Sequence, residues 1–145
     1  MNDLPPTIPH LAQAAAQRFG AAAAILEAGE TWSYQQLWNK VRQAASALLR
    51  AGITRGDRIA IWAPNRKEWI VAAIASQLAG AAVVPLNTRL KGGETGDILR
   101  RTSAKMLFMV DAFLGTDYPA LIKNEDLPAL KRIIHFESDW TDFFS

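Results

Sequence analysis

The chain has 145 residues, half of them hydrophobic, 21% charged and none of them cysteine, with a formal net charge of +2. Those values describe one soluble globular domain, large enough to bury a real core. They exclude disulfides, a thiolate nucleophile and a cysteine-ligated metal, and with no run of five like charges there is no ground for nucleic-acid or membrane-surface binding.

Residues 1–9 form a Pro-rich lead-in without the basic and apolar stretches of a secretory signal. The longest apolar run, 69–75, is far too short to cross a bilayer, so a cytoplasmic protein is the expectation. An Ala-rich helix is predicted over 10–19 and stops at Gly20. Segments 22–26 and 31–33, separated by Glu27-Ala28-Gly29-Glu30, read as a short hairpin.

The next helix carries the strongest local signals. Ser33 and Gln36 form an S-x-x-Q capping box, with Trp32 and Leu37 placed as a hydrophobic staple. Leu37, Val41, Ala45, Leu48 and Leu49 recur on one helical face. Gly52 suits the left-handed position after the helix, and Ile53 could meet Leu48 across a Schellman turn.

Residues 58–63 are a strand, apolar on both faces and ended by Pro64. Asn65 and Glu68 suggest a second capping box for a helix over 66–79, apolar almost all round and stopped by Gly80. A strand at 82–86 precedes a weaker helix over 94–102, which contains Ile98 and Leu99 but also Gly96. A strand at 105–110 follows. Asp111 then reads as a cap for a helical or irregular stretch to residue 121, before a strand at 132–136 and one helical turn over 140–144. Doubly apolar strands alternating with helices imply an α/β fold, a mostly parallel, doubly wound sheet with helices on both faces, preceded by the short hairpin.

Chemistry is harder to find. There is no G-x-G-x-x-G and no G-x-x-x-x-G-K-[ST], and Lys91-Gly92-Gly93-Glu94 reads as a turn into a helix with an acidic first turn. No G-x-S-x-G elbow exists. His10 falls at a helix start, and His135 alternates within a strand as a structural or surface residue. No His, Asp and Glu set has metal-ligand spacing, and Asp57, Asp97, Asp111 and Asp117 fit caps or turns. Trp32, Trp38, Trp62, Trp69 and Trp140 could suggest a stacking surface, but Trp32, Trp62 and Trp69 fall at staple or core positions, so packing explains them better. No catalytic, cofactor-binding or metal-binding residue is assigned.

Several segments together resemble the opening region of the adenylate-forming superfamily, which includes acyl-CoA synthetases, luciferases and peptide-synthetase adenylation domains. Thr31-Trp32-Ser33-Tyr34-Gln35-Gln36-Leu37 is similar to the family's first core motif. Gly56-Asp57-Arg58-Ile59-Ala60-Ile61 resembles its G-D-x-V-A-I strand, and Asn65-Arg66-Lys67-Glu68-Trp69 its N-x-x-E-[WF] helix start. The run from Leu78 through Pro85-Leu86-Asn87 resembles the second core motif, in the form common to acyl-CoA synthetases. Arg89, Glu94, Ile98 and Leu99 then match R-x₄-E-x₃-I-L, while Thr95-Gly96 departs from the usual helix formers there. Five matches in order cover residues 31–110. The stretches 113–118 and 127–131 look similar to synthetases that activate the propionate side chain of steroid ring-degradation intermediates.

The resemblance implies that 1–145 is a partial amino-terminal domain of an AMP-forming acyl-CoA synthetase, ending before the phosphate-binding loop. Thr102-Ser103-Ala104-Lys105 lacks the glycines of the family's T-S-G-T-T-G-x-P-K-G loop. The family activates a carboxylic acid (fatty or related) with ATP and Mg²⁺ to an acyl-adenylate, then transfers it to CoA. The segment alone is expected to be inactive, to bind none of these cofactors, and to self-associate as a homo-oligomer. Two other readings stay open: a free-standing α/β ligand-binding module, and an interaction protein using an exposed sheet edge.

Overall fold

A computed structural model describes residues 6–144, so residues 1–5 of the Pro-rich lead-in lie outside the described residues. Helix α1 (Ile8–Phe19) begins earlier than its Ala-rich run suggests, because Thr7 caps it by accepting from the His10 amide at 3.4 Å. Pro9 fits the first turn, where its missing N–H has no helical partner to lose. Strands β1 (Ala23–Glu27) and β2 (Glu30–Ser33) pair antiparallel around Ala28 and Gly29, both at positive φ, in the mirror-image turn that matches strand twist.

Helix α2 (Tyr34–Arg50) forms as its signals predict. The Gln36 amide donates to the Ser33 hydroxyl at 3.1 Å, and the Ser33 amide donates to Gln36 Oε1 at 2.8 Å. At the other end Gly52 adopts φ +84°, and the Ile53 amide reaches Leu48 O at 3.0 Å to close the Schellman turn.

Strand β3 (Arg58–Trp62) leads into α3 (Lys67–Leu78), where the expected Asn65 and Glu68 capping box does not form. The cap position belongs to Arg66, and Glu68 turns to its guanidinium at 2.7 Å. The first helical amide, Lys67 N, is instead satisfied from β1, by Glu27 Oε1 at 2.9 Å. A charged partner 40 residues away outcompetes the neutral local amide.

Strand β4 (Ala82–Leu86) carries Pro85, which is tolerated because this strand lies at the sheet edge. Helix α4 (Gly92–Thr102) starts two residues before the expected Glu94, whose carboxylate accepts from the Lys91 amide at 2.9 Å. Its glycines allow close packing. A Cβ on Gly92 would stand 1.8 Å from the Leu121 carbonyl oxygen, and one on Gly96 would stand 2.3 Å from Glu125 Oε2.

After β5 (Met106–Met109) the chain makes a small hairpin of β6 (Ala112–Phe113) and β7 (Thr116–Asp117), then α5 (Tyr118–Ile122). Asp111 is not the cap of that stretch. Asp117 is, accepting from the Ala120 amide at 3.0 Å. Strand β8 (Arg132–His135) and α6 (Trp140–Phe143) complete the described elements.

The main sheet is all parallel in the order β4-β3-β5-β8. Alternation divides its faces. Phe108 turns towards α6, where its ring meets Trp140 and Phe143 edge-on, and α3 packs with α1 and α2. Trp62 points the other way and meets Tyr118 of α5 at 4.6 Å, while α4 packs on α5. The chain leaves β3 for β4 and returns past it to β5, so the direction of winding reverses between β3 and β5. The doubly wound expectation holds.

Candidate functional site

In a doubly wound sheet, ligands bind outside the carboxyl ends of the strands where the winding reverses. Here that rim carries a chain of charged groups. Arg66, following β3, donates from Nε to Glu68 at 2.7 Å and from Nη1 to Glu137 at 2.5 Å, with its guanidinium 5.1 Å above the Phe136 ring. Burial works against the Arg66 charge, but the bonds to Glu68 and then Glu137 outweigh it and hold its pKa above that of an ordinary arginine. Glu137 also accepts from the Asp111 amide at 2.9 Å, tying the exit of β3 to that of β5.

Asp111 in turn meets His135 Nδ1 at 2.5 Å, joining β5 to β8. Two acceptors cannot bond, so Nδ1 carries the proton and Nε2 is left as the open edge of the ring. The His135 amide donates to Asp139 at 2.9 Å, the largest cause lowering that carboxyl below its ordinary pKa. A histidine oriented by a carboxylate is half of a nucleophilic relay. The other half is absent among the described residues, where no hydroxyl bonds to its second nitrogen. The network binds three strand exits together, and that is the work its geometry can do.

Beside this rim, on the Trp62 face, an open cleft of about 610 Å³ lies between α5 and the approach to β8. Met109, Ile133 and Leu130 give it apolar surface, with His135, Lys123 and Asp117 among its lining.

Of the residues singled out in the sequence, Asp111 and His135 lie on this rim and Asp117 lines the cleft, while the others fall elsewhere or serve the frame. At the amino ends of the strands, Asp57 accepts from Thr54 N at 2.8 Å, Thr54 Oγ1 at 3.1 Å and Lys105 Nζ at 2.8 Å, and Lys105 also reaches Gly52 O at 2.7 Å. The G-D motif is therefore a latch between the turn after α2 and β5. Asp97 pairs with Arg101 on the exposed side of α4, and His10 Nδ1 lies 2.6 Å from Thr7 Oγ1. Trp62 is fully buried, and the half-buried Trp32 has the ammonium groups of Lys40 and Lys67 at 4.7 and 5.0 Å from its ring. Glu137 and Asp139 carry no motif in the sequence, and Arg66 stands at a variable position of one. No local signal marks them, since Arg66 and Glu137 are 71 positions apart.

The Asp57 latch has a pH signature. Lys105, followed by the Thr54 amide, holds the Asp57 carboxyl below the ordinary 3.8. A lowered folded pKa means that the stabilisation is full above the unfolded value and is lost as pH falls through the folded one. Asp57→Asn should cost about 1–2 kcal/mol at neutral pH. Urea midpoints should show the cost shrinking below pH 3.8, and a cost that is constant with pH would refute the latch.

The groups at this rim that could hold an anion or a metal are already engaged. Among the described residues no three His, Asp or Glu side chains gather as metal ligands. The first amide of α3 already holds the Glu27 carboxylate, and the Glu94 carboxylate lies at the start of α4, where a phosphate would need open amides. The rim cation Arg66 is committed to two carboxylates.

Comparison with known proteins gives consistent matches. The sequence model described as AMP-binding enzyme matches residues 12–143. A 3-[(3aS,4S,7aS)-7a-methyl-1,5-dioxo-octahydro-1H-inden-4-yl]propanoyl:CoA ligase of Rhodococcus jostii is 38% identical over 92% of this chain, which covers 27% of that protein. The ligase of the same name from Mycobacterium tuberculosis is 37% identical over 100% of this chain and 29% of its own length. The chain thus spans less than a third of the curated relatives it matches. Its fold is that of the N-terminal domain of FACL13 from Mycobacterium tuberculosis, with a TM-score of 0.85 at 22% identity, covering 97% of this chain and 36% of that one.

Proposed function

Because the chain belongs to the AMP-binding enzyme family, we propose that it supplies the layered platform of an acyl-CoA ligase. Such an enzyme converts a carboxylic acid and ATP, with Mg²⁺, into an acyl-adenylate and pyrophosphate, and then joins the acyl group to CoA. The domain reading is that residues 1–145 form part of the amino-terminal domain and that the reacting groups lie in sequence beyond this platform. No residue here is given a catalytic, cofactor-binding or metal-binding role.

The single observation that carries this reading is the near full-length match of the chain to two ligases that share one printed activity. Their common name favours a propanoate on a fused bicyclic ketone as the acid, ahead of a long fatty chain. A cytoplasmic setting belongs to the same proposal, supported by the finding that no helix among the described residues is long and apolar enough to cross a membrane.

ATP–pyrophosphate exchange by the purified chain, with that bicyclic propanoate present, should stay at background. Measurable exchange would overturn the assignment of a platform without chemistry. The positive test is a chimera in which this chain replaces the matching segment of the Mycobacterium tuberculosis ligase. Thioester formation should stay within about tenfold of the parent, a barrier change of about 1.4 kcal/mol. A folded chimera with no activity would count against the proposal.

A further inference from the structure

Lys67 serves two parts of the molecule at once. Its amide donates to Glu27 at 2.9 Å, its ammonium pairs with Glu30, and the same ammonium lies 5.0 Å from the Trp32 ring. Glu27, Glu30 and Trp32 all belong to the β1–β2 hairpin, so three of its residues converge on the first residue of α3. On either side of Lys67 stand Arg66 and Glu68, bonded to each other at 2.7 Å, and Arg66 reaches on to Glu137 at the rim. The first turn of α3 is thus a joint between the hairpin and the rim.

Each side of the joint leans on the other. A two-stranded ribbon is marginal in water by itself. Its turn places Ala28 at φ +49°, where asparagine or glycine is favoured. Glu27 and Glu30 stand directly opposite in the strand register, and like charges so placed repel. Lys67 relieves this by giving one carboxylate an N–H and the other an ammonium. Its bond holds the Glu30 carboxyl below the usual carboxylate range. In return the hairpin completes α3. The cap residue Arg66 makes no side-chain cap bond, and Glu27 meets the first helical N–H in its place.

We propose that the hairpin, the first turn of α3 and the Arg66 clamp open and close as one unit, with Glu27 as the positioning residue that holds them shut. Unseating the hairpin returns two carboxylates to mutual repulsion and takes the acceptor from Lys67. The turn that aims Arg66 at Glu137 then frays. A loosened rim is felt at the hairpin in equal measure, because coupling between two sites is reciprocal. All of these partners lie within the chain, so the coupling does not depend on what covers its outer surface. It also stands apart from the ligase reading, because its test reads local opening and no activity.

Native-state hydrogen exchange of the whole chain in low urea provides the test. The amides of Lys67, of the hairpin ladder and of Asp111, which donates to Glu137, should share one opening with a common urea dependence, easier than that of strand β5. Glu27→Ala should speed exchange at all three by about tenfold or more, equivalent to about 1.4 kcal/mol, and leave β5 unchanged. Glu27→Gln keeps an acceptor without its charge and should fall between Glu27→Ala and wild type. Glu137→Gln cuts the clamp from the rim side and should speed the hairpin amides about fivefold or more. A Glu27→Ala effect that stops short of Asp111 overturns the proposal, and so does an equal rise at every amide, which is global unfolding. Hairpin amides that ignore Glu137→Gln overturn it as well. In the wild type alone, different urea dependences for the hairpin and Asp111 amides would do the same.

Discussion

Replacing Gly92 with alanine should destabilise the chain by about 3 kcal/mol or more, as overpacking against an unyielding neighbour does. The added Cβ would fall 1.8 Å from the Leu121 carbonyl oxygen and 2.8 Å from its carbon. Both are backbone atoms, so no rotamer change relieves the clash, and α4 must separate from α5. That separation would disturb Tyr118, which α5 holds against Trp62 in the core. With native domains stable by only about 5–15 kcal/mol, such a loss is a large share of the total.

Gly96→Ala provides the comparison. Its Cβ would meet the Glu125 carboxylate at 2.3 Å, the far end of a flexible side chain. Glu125 can swing away at the cost of its 2.8 Å bond to Arg100, an ion pair of modest worth near the surface. Alanine also gains about 1 kcal/mol of helix propensity over glycine. The two terms nearly cancel, so Gly96→Ala should lie close to wild type. Urea denaturation of both variants decides the matter, and equal stability would mean that α4 and α5 are not in the contact described.

These glycines mark the boundary of what the sequence reveals. Local signals were legible where no competing partner reached the same groups: the Ser33 and Gln36 box and the Gly52 and Ile53 turn form as read. The parallel sheet, though not its strand order, followed from strands apolar on both faces. What stayed hidden was any choice between a local and a distant partner. Glu68 had a local role available at Asn65 and took Arg66 instead, leaving the amide of Lys67 to Glu27. Asp111 and Asp117 were equivalent as caps by residue type, and only the fold, which brings His135 to Asp111, separates them. Gly96 looked like a weak point in a helix because the segment that needs its missing side chain lies beyond α5 in the sequence. The candidate rim is the extreme case. Its members come from three strand exits, and no periodicity or spacing links them.

Trp62→Ala should be the most damaging substitution in the sheet, costing about 3–5 kcal/mol as large-to-small changes of buried aromatic residues do. The side chain is 0% exposed, so its removal leaves a cavity that the parallel strands on either side cannot collapse to fill. It also breaks a paired arrangement. Trp62 Nε1 donates to Asn87 O at 3.0 Å, and Tyr118 OH donates to Thr88 O at 2.9 Å, so two ring groups in edge-on contact grip consecutive carbonyls of one loop. Burial of the Tyr118 phenol pushes its pKa above the ordinary 10.0, although the bond to Thr88 acts in the opposite sense. The gripped loop leads directly to Gly92, so the position of α4 depends on it. Trp62→Phe should keep most of the packing and lose the loop bond, at about 1–2 kcal/mol. Combined with Tyr118→Phe, the losses should fail to add by about 0.5 kcal/mol or more, because both bonds restrain the same few residues. Strict additivity in that double-mutant cycle, measured by chemical denaturation, would show that the two rings hold the loop independently.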